Sequence, residues 1–320
     1  MVNTLVFSRS YNTRLSEFGV DKPFALDRGE LVLKKLTEEL GKSVPFDEPK
    51  PLSREDMLLV HTPEYLESLK QIETWLEIFE FKAHEYFPER AVRPLTDLLS
   101  DISLKSGGTL LAAERCLETG LAANLGGGYH HAFANRGRGY CVIHDIAIAI
   151  RSLKKRALIK RAMVVDLDFH QGDGTALIFQ DDADVFTLSV HSEEGWPDEK
   201  QKSDLDVGIL ESDSPFYLEK TEAAVRQALS CFAPDMVVFV AGSDPYEKDV
   251  LPGSRFIKLS LDTMKKRDQF VIDTFADRGI PLSMVFAGGY GPDVWEVHYF
   301  ATRRLLERRG VTFAETVASH

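Results

Sequence analysis

The sequence predicts an α/β fold in which one mostly parallel β-sheet carries helices on both of its faces. Short apolar runs rich in β-branched residues recur along the chain, and amphipathic helical patterns separate them. Runs that are apolar throughout are typical of strands buried on both faces, as in parallel sheets. No internal repeat, low-complexity linker or shift in composition divides the chain. We therefore predict a single domain over residues 1–320.

The composition is that of a globular protein and excludes several classes of partner. Hydrophobic residues make up 44% of the chain and charged residues 28%. The net charge of −12 argues against binding to nucleic acid or to an anionic membrane surface. The basic run between Arg151 and Arg161 is interpreted as a solvated helix end. No apolar run approaches the roughly eighteen residues of a membrane span.

The cysteines and the N-terminus bear on the cellular compartment. Cys116, Cys141 and Cys231 are widely spaced and form no CxxC motif, so we interpret them as buried thiols of a reducing compartment. The first residues lack the basic region of a signal peptide and continue directly into a predicted strand. The sequence therefore predicts a cytoplasmic protein.

The N-terminal part of the chain predicts one strand and three helices. The strand covers Leu5–Phe7. Capping residues at Asp27, Ser53 and Thr62 begin the helices, and the third of these extends over Glu64–Gln71. The stretch that follows mixes aromatic and charged residues without a period, and it predicts no element before residue 107.

Strands and helices then alternate to the last predicted strand. The predicted strands are Leu121–Leu125, a strand that begins at Ala162, Val185–Val190, Met236–Ala241 and Pro281–Ala287. The predicted helices are Gly108–Leu117, Asp145–Lys155, a helix from Ser214 to Leu229 and Leu261–Ala276. The charged segment Ser192–Ser212 is interpreted as a long loop near the strand ends.

The stretch on which the interpretation depends follows the strand that begins at Ala162. Asp166, Asp168, His170 and Asp173 crowd into eight consecutive residues. Asp168 and His170 are two residues apart, so on an extended backbone both side chains leave the same face and can bind one cation. We expect the glycines that flank Asp173 to turn the chain and leave its carboxylate free to reach sideways.

Three further polar clusters follow predicted strands. His130 and His131 come after three glycines, Asp244 follows another strand, and Tyr290 lies on a turn rich in glycine. Because ligands bind beyond the carboxyl ends of parallel strands, we expect these clusters to meet at one edge of the sheet.

Two carboxylates and one imidazole make a three-ligand zinc set with an open position for water, which is typical of catalytic sites. One histidine of the pair at positions 130 and 131 can serve as general base. Each of these histidines needs a carboxylate partner, and Asp166 and Asp173 remain for this role once the ligands are assigned. Tyr290 offers an O–H donor to a developing oxyanion.

These motifs resemble those of the zinc-dependent histone deacetylase superfamily, which has the arginase/deacetylase-like fold. The resemblance covers most of the chain and is carried by GGYHHA, DLDFHQGDG, AGSDP and AGGYG, in that order. The N-terminal segments look most like the class IV branch; they are Tyr11-Asn12, Pro23-Phe24, His61–Leu66 and Ser106–Thr109. Ala287 departs from the pattern, because many relatives have glycine there.

The resemblance implies a role for each site residue. Asp168, His170 and Asp244 become the zinc ligands. His131, oriented by Asp173, becomes the general base and then the general acid.

The resemblance also implies the roles of the second histidine, of Tyr290 and of the residues that line the substrate tunnel. His130, oriented by Asp166, is the electrostatic partner, and Tyr290 polarises the amide carbonyl. The residues that would line an acyl-lysine tunnel are Gly139, Tyr140 and Trp196.

Two structural potassium ions are implied as well. The first would be bound by Asp166, Asp168, His170, Ser189 and Val190, partly through backbone carbonyls. A second, more peripheral one would be bound by Phe179, Asp182 and Val185.

The function that the resemblance implies is removal of an acetyl or long-chain fatty acyl group from the lysine side-chain amine of proteins or peptides. The class IV likeness implies that long chains are preferred. The alternative within the superfamily is hydrolysis of acetylpolyamines or other small acylated amines.

Two further alternatives come from outside this activity. The arginase branch of the fold hydrolyses guanidino groups with two manganese ions and would need additional bridging aspartates at the second-metal position. The histidine pair together with the Gly-Gly-Tyr motif favours the mononuclear amidase. A binding module with an inactive site would lack a ligand or Tyr290, and neither is missing from this sequence.

Overall fold

The computed structural model describes residues 3–22, 27–82 and 84–313, and in them the predicted parallel sheet is confirmed. Its strands are β1 (Leu5–Val6), β2 (Leu121–Asn124), β3 (Ala162–Asp166), β4 (Val185–Ser192), β5 (Leu205–Ile209), β6 (Met236–Val240) and β7 (Leu282–Val285). They form one seven-stranded sheet in the order β1-β2-β7-β6-β3-β4-β5. Every pairing between these strands is parallel.

Helices cover both faces of the sheet, as predicted. They are α1 (Arg28–Leu40), α2 (Arg54–Met57), α3 (Pro63–Ser68), α4 (Ile72–Ile78), α5 (Leu98–Thr119), α6 (Asp145–Lys155), α7 (Asp173–Phe179), α8 (Tyr217–Cys231), α9 (Leu261–Asp277) and α10 (Trp295–Arg308). Alternate residues of β3 enter two separate cores: Met163 and Val165 pack on one face, with α1 and α8 to α10. Ala162 and Val164 pack on the other face, with α5 and α6. Burial on both faces explains why β3 is apolar throughout.

Helix α5 begins ten residues before its predicted start. Gly107 and Gly108 indicate a boundary in the sequence, but here they lie inside the helix. A Cβ at Gly107 would collide with the carbonyl oxygen of Lys50, and one at Gly108 with the hydroxyl of Tyr11. The two glycines therefore allow neighbouring chain to approach the helix, which local sequence does not show.

The loop predicted over Ser192–Ser212 is wrong in part, because it contains the edge strand β5. Only Ile209 of this strand is buried, and an exposed edge strand has no apolar run to indicate it. The sequence also predicted no helix after β7, where α10 lies.

The predicted helix caps differ in outcome. Ser53 forms the expected capping box with Asp56, and the Thr62 hydroxyl accepts a hydrogen bond from the Tyr65 amide. Asp27 is the N-cap residue of α1, as predicted, but its side chain makes no capping hydrogen bond. Pro23-Phe24 lies outside the described residues.

Cys116 and Cys141 are buried as predicted, but the prediction is wrong for Cys231, which is exposed at the end of α8. Of the helices that the structure describes, none is both long and apolar enough to span a membrane.

Candidate metal centre and active site

Four neighbouring strands, in the order β2-β7-β6-β3, end at the same edge of the sheet. Each is followed by a predicted polar cluster: His130 and His131 after β2, Tyr290 after β7, Asp244 after β6, and the stretch Asp166–Asp173 after β3. The structure therefore brings together residues that are far apart in the sequence.

Asp168, His170 and Asp244 form a group that could bind a metal ion. One ligand atom from each lies within 4.8 Å of the others, and all three residues are buried. His170 Nδ1 lies 2.9 Å from Asp244 Oδ2 and 3.2 Å from Asp168 Oδ1. Two carboxylates and one imidazole are a donor set that suits zinc.

The backbone of this group is bent and not extended. β3 ends at Asp166, so the expected side-by-side exit of Asp168 and His170 from a regular strand is wrong. The two side chains converge because the His170 amide donates to Asp168 Oδ1 (3.0 Å). The Phe169 amide likewise donates to Asp244 Oδ1 (2.9 Å). Backbone amides thus orient both carboxylates.

A second strand end closes the site. The Gly288 amide donates to Asp168 Oδ2 at 2.7 Å. A Cβ at Gly288 would lie 2.5 Å from carboxylate oxygens of both Asp168 and Asp244, so a side chain here would displace the ligands. The candidate metal centre therefore requires glycine at this position.

The electrostatics of the group fit a cation. Burial, followed by the neighbouring charge of Asp168, raises the pKa of Asp244 to about 7. Two buried carboxylates in contact disfavour one another's ionisation, and a divalent cation between them removes this repulsion. The residues present therefore fit a bound metal ion.

His130 and His131 lie on the loop after β2, and each pairs with an aspartate. Their ring centroids are 3.9 Å apart. His130 Nδ1 lies 2.7 Å from Asp166 Oδ2, and His131 Nδ1 lies 2.7 Å from Asp173 Oδ1. A carboxylate at Nδ1 holds the proton on that nitrogen of a neutral imidazole and leaves Nε2 as the acceptor.

The two histidines differ in charge. Burial disfavours the charged form of His130, but Asp166 and Asp168 outweigh it and raise the pKa of His130 to about 9. Burial, and then the charge of His130, lowers the pKa of His131 to about 4. At neutral pH His130 therefore carries a positive charge, and His131 is free to accept a proton.

The surroundings of Asp173 differ from the expected turn. Asp173 is the first residue of α7 and forms a 2.9 Å ion pair with Arg138. The Arg138 guanidinium lies 4.5 Å above the Trp196 ring, and that ring packs edge to face on His131 at 4.7 Å. Arg138 was not predicted as a site residue, although it directly precedes Gly139.

The loop that carries the histidines is held by Asp145, the first residue of α6. The buried carboxylate of Asp145 accepts hydrogen bonds from the amides of Gly128 and Tyr129, each at 2.8 Å, and from the Thr109 hydroxyl at 2.5 Å. Three donors to one carboxylate hold the loop just before His130.

Tyr290 lies against the metal centre at the end of β7. Its amide donates to Asp249 Oδ2 at 2.7 Å, and its carbonyl accepts from the Val250 amide at 3.0 Å. Burial, and then the charges of Asp244 and Asp168, raises the pKa of Tyr290, so its hydroxyl keeps its proton. The Tyr140 ring lies 6.3 Å from the Tyr290 ring.

A cavity of about 140 Å³ runs through these groups. Its lining includes Gly139, Tyr140 and Phe79, together with Asp168, His170 and Tyr290. Predicted tunnel residue Trp196 contacts His131 and Gly139. We call the region lined by Tyr11, Thr13, Leu15, Arg28, Leu98, Ile102 and Lys105 the inner part of the cavity. Sequence reasoning missed Arg28 and Lys105 because neither lies in a motif.

The predicted potassium residues lie in two places. Asp166 and Ser189 are directly opposite in the register of β3 and β4. Asp182 stands in a turn with Phe179 and Val185, but both of its carboxylate oxygens accept hydrogen bonds from Lys154, at 2.8 and 2.7 Å. Lys154 therefore supplies a positive charge where the second potassium was expected.

Arg267 supports the loop that carries Asp168 and His170, and sequence reasoning did not identify it. This fully buried side chain of α9 donates to the Leu167 carbonyl at 2.9 Å and pairs with the buried Asp268 at 2.7 Å. Leu167 lies directly before Asp168. The ion pair of α9 therefore fixes the backbone next to Asp168, a candidate metal ligand.

Replacing Arg267 with methionine is expected to lower the free energy of unfolding by about 3–5 kcal/mol, because Asp268 is left buried and unpaired. Denaturant unfolding followed by circular dichroism measures this. Lys266→Met is the matched control, since it breaks an exposed pair with Asp262 on the same helix, worth about 0–1 kcal/mol. Equal losses in the two variants would contradict the structural role of Arg267.

Comparison with known proteins points to one family. A profile of the histone deacetylase domain matches residues 22–303. The chain is 34% identical to histone deacetylase 2 of Arabidopsis thaliana over 294 residues, which are 90% of this chain and 74% of that protein. It is 29% identical to the acetoin utilization protein AcuC of Bacillus subtilis, over 97% of this chain and 82% of that protein. An uncharacterized protein of Picosynechococcus is 43% identical over 60% of this chain, which is 64% of that protein.

Solved structures share the fold. A crystal structure of an HDAC homolog from Aquifex aeolicus superposes with a TM-score of 0.71 at 21% identity, over 98% of this chain and 85% of that one. An HDAC homolog complexed with SAHA superposes with a TM-score of 0.72 at the same identity and coverage.

Proposed function

This chain belongs to the histone deacetylase family, and we propose that it is a zinc-dependent amidohydrolase that removes acyl groups from the lysine side-chain amine of proteins or peptides. The observation that carries the proposal is the group formed by Asp168, His170 and Asp244, which lies beside two His–Asp pairs in one cavity. The complex of a related protein with SAHA supports an acylated substrate. The class IV branch and a cytoplasmic location remain predictions from the sequence.

Asp168, His170 and Asp244 would bind the zinc ion. When bound, zinc polarises a carbonyl and lowers the pKa of a water molecule towards ~7. A structural potassium ion near Asp166 and Ser189 is part of the proposal, and it supplies no chemistry.

The protein's own groups would then perform the proton transfers. His131 takes a proton from the attacking water at Nε2, and Asp173 at Nδ1 stabilises the imidazolium that forms. The Tyr290 hydroxyl donates a hydrogen bond to the carbonyl oxygen as negative charge develops there. The proton on His131 passes to the departing lysine amine, while charged His130 stabilises the anionic intermediate.

Metal analysis tests the proposal directly. Purified protein is expected to contain about one zinc ion per chain, because the donor set provides three ligands for one ion. Chelation should abolish cleavage of an acetyl-lysine peptide, and added zinc should restore it. Two manganese ions per chain with arginine hydrolysis would contradict the proposal and favour the arginase-like alternative.

The acyl group is the second part of the proposal. Leu15, Leu98 and Ile102 give the inner cavity an apolar wall, and each buried methylene contributes up to ~0.8 kcal/mol. We therefore expect a myristoyl-lysine peptide to give a higher kcat/KM than the same peptide acetylated. Steady-state rates on both peptides, and on acetylpolyamines as the small-amine alternative, measure this. Faster cleavage of an acetylpolyamine would contradict a peptide substrate.

A further inference from the structure

The inner part of the cavity is mostly apolar but contains two cationic side chains. Tyr11, Thr13, Leu15, Leu98 and Ile102 form its walls, together with Arg28 and Lys105. Neither cation takes part in the proposed proton transfers. Both line the same cavity as Asp168 and His170, so an acyl chain that fills this cavity comes close to them.

Arg28 is held in place by backbone carbonyls. Its two terminal nitrogens donate to the carbonyls of Ala287 and Gly288, at 2.8 and 3.0 Å. The carboxylates that act on its charge are Asp168 and Asp244, which are the proposed metal ligands. Once these bind a metal ion, little of their negative charge remains for Arg28.

Lys105 makes fewer hydrogen bonds than Arg28. Its side chain lies on α5, is 8% exposed, and donates one hydrogen bond at 3.3 Å to the Thr13 hydroxyl, although an ammonium group has three N–H donors. No carboxylate of the described residues lies within ion-pair distance of it; Asp101, one turn earlier, pairs with Arg93 at 3.5 Å. Burial lowers the pKa of Lys105 to about 8, so the ammonium is still mostly protonated at neutral pH.

A buried ammonium group with spare donors is unfavourable unless an anion pairs with it. An acyl chain that has its carbonyl at the metal ligands and extends into the inner cavity brings its far end to this region. A carboxylate at that end would complete the hydrogen bonds of Lys105 and compensate the charge of Arg28. A methyl group at that end would give Lys105 no further hydrogen bond and would not compensate the charge of Arg28.

We propose that the inner cavity binds acyl groups that end in a carboxylate, such as succinyl and glutaryl, and that Lys105 recognises this carboxylate. The inference rests on the proposed function. The reaction is hydrolysis: the amide C–N bond breaks, a C–O bond forms from water, and a proton of the water passes to the departing nitrogen. The products are the peptide with an unmodified lysine side chain and a dicarboxylate. It needs no further reactant.

Matched acyl pairs on one peptide test the proposal. Glutaryl-lysine is compared with pentanoyl-lysine, and succinyl-lysine with butyryl-lysine, so that each pair has the same number of carbons. We expect the wild-type protein to favour the carboxylate member of at least one pair about tenfold or more in kcat/KM, which corresponds to 1.4 kcal/mol. Each ratio is obtained without any variant.

Substitution of Lys105 then tests whether this residue causes the preference for the carboxylate member of each pair. In Lys105→Met the ratio should fall towards one, and Lys105→Arg should restore most of it. Lys34→Met is the control, since it removes one exposed lysine of α1 far along the helix from Arg28. Should Lys105→Met not fold, Thr13→Val removes the hydroxyl that orients the ammonium and should also reduce the ratio.

The outcomes are distinguishable. Ratios near or below one in the wild-type protein, with neutral chains cleaved, overturn the inference and leave the proposed function intact. A ratio that survives Lys105→Met also overturns it. If the ammonium instead binds only the released product, acetate and glutarate should inhibit alike while the ratios stay near one. Failure to cleave any acyl-lysine peptide overturns the proposed function and the inference together.

Discussion

Replacing His131 with alanine is expected to lower kcat by about 10²–10⁴, the usual contribution of a general base. The variant keeps the three proposed metal ligands, so its zinc content should equal that of the wild-type protein. The loss should appear in kcat and not in KM, since His131 acts on the proton of the attacking water. Steady-state kinetics on an acyl-lysine peptide, with metal analysis of the same sample, measure both.

The pH dependence gives an independent check of this assignment. His131 must be neutral to accept a proton, and its burial and the charge of His130 lower its pKa from 6.5 to about 4. Activity should therefore persist below pH 6 and decline only as the pH falls through the lowered pKa. An acid limb centred near 6.5 would contradict the depressed pKa. His84→Ala, at an exposed histidine, is the control and should leave the profile unchanged.

Replacing Tyr290 with phenylalanine is expected to lower kcat by about 10²–10³, as does the loss of one donor to an oxyanion. The substitution removes only the hydroxyl, because the backbone of Tyr290 is held by Asp249 and Val250 through its amide and carbonyl. Zinc content and thermal stability should remain those of the wild-type protein.

Tyr299→Phe is the matched control for this variant. It removes the same hydroxyl from a buried tyrosine of α10, which contributes nothing to the cavity. Its turnover should equal that of the wild-type protein. Wild-type turnover in Tyr290→Phe would show that Tyr290 is a wall of the cavity and takes no part in the chemistry.

The central strands were predictable because burial on both faces requires each of them to be apolar throughout, and this is visible in the strand's own residues. β3, β4 and β6 are apolar and rich in β-branched residues. The bounds predicted for β4 and β6 lie within two residues of those observed, and β3 begins at the predicted residue. The edge strand β5 has no continuous apolar run, since most of its side chains are partly or fully exposed to solvent. A strand whose stability comes from pairing with a neighbour cannot be found from its own residues.

The sequence by itself determined the fold class, the family and the residue types of the site. A parallel sheet gathers the carboxyl ends of its strands at one edge, so polar residues after four strands were expected to meet there. The convergence of Asp168 with His170 was expected for the wrong local reason, since a bent loop and not a strand brings them together.

Only the tertiary structure decided which distant groups complete the site. Arg267 reaches Leu167 from a helix 100 residues further along the chain, and Arg28 reaches Gly288 across 260 residues. Lys105 sits in an otherwise unremarkable turn of α5 and becomes significant through the cavity that it lines. These side chains belong to no motif, and their roles follow from burial and from contacts between elements that pack together. Such contacts exist only once the sheet has formed, which is why local sequence does not contain them.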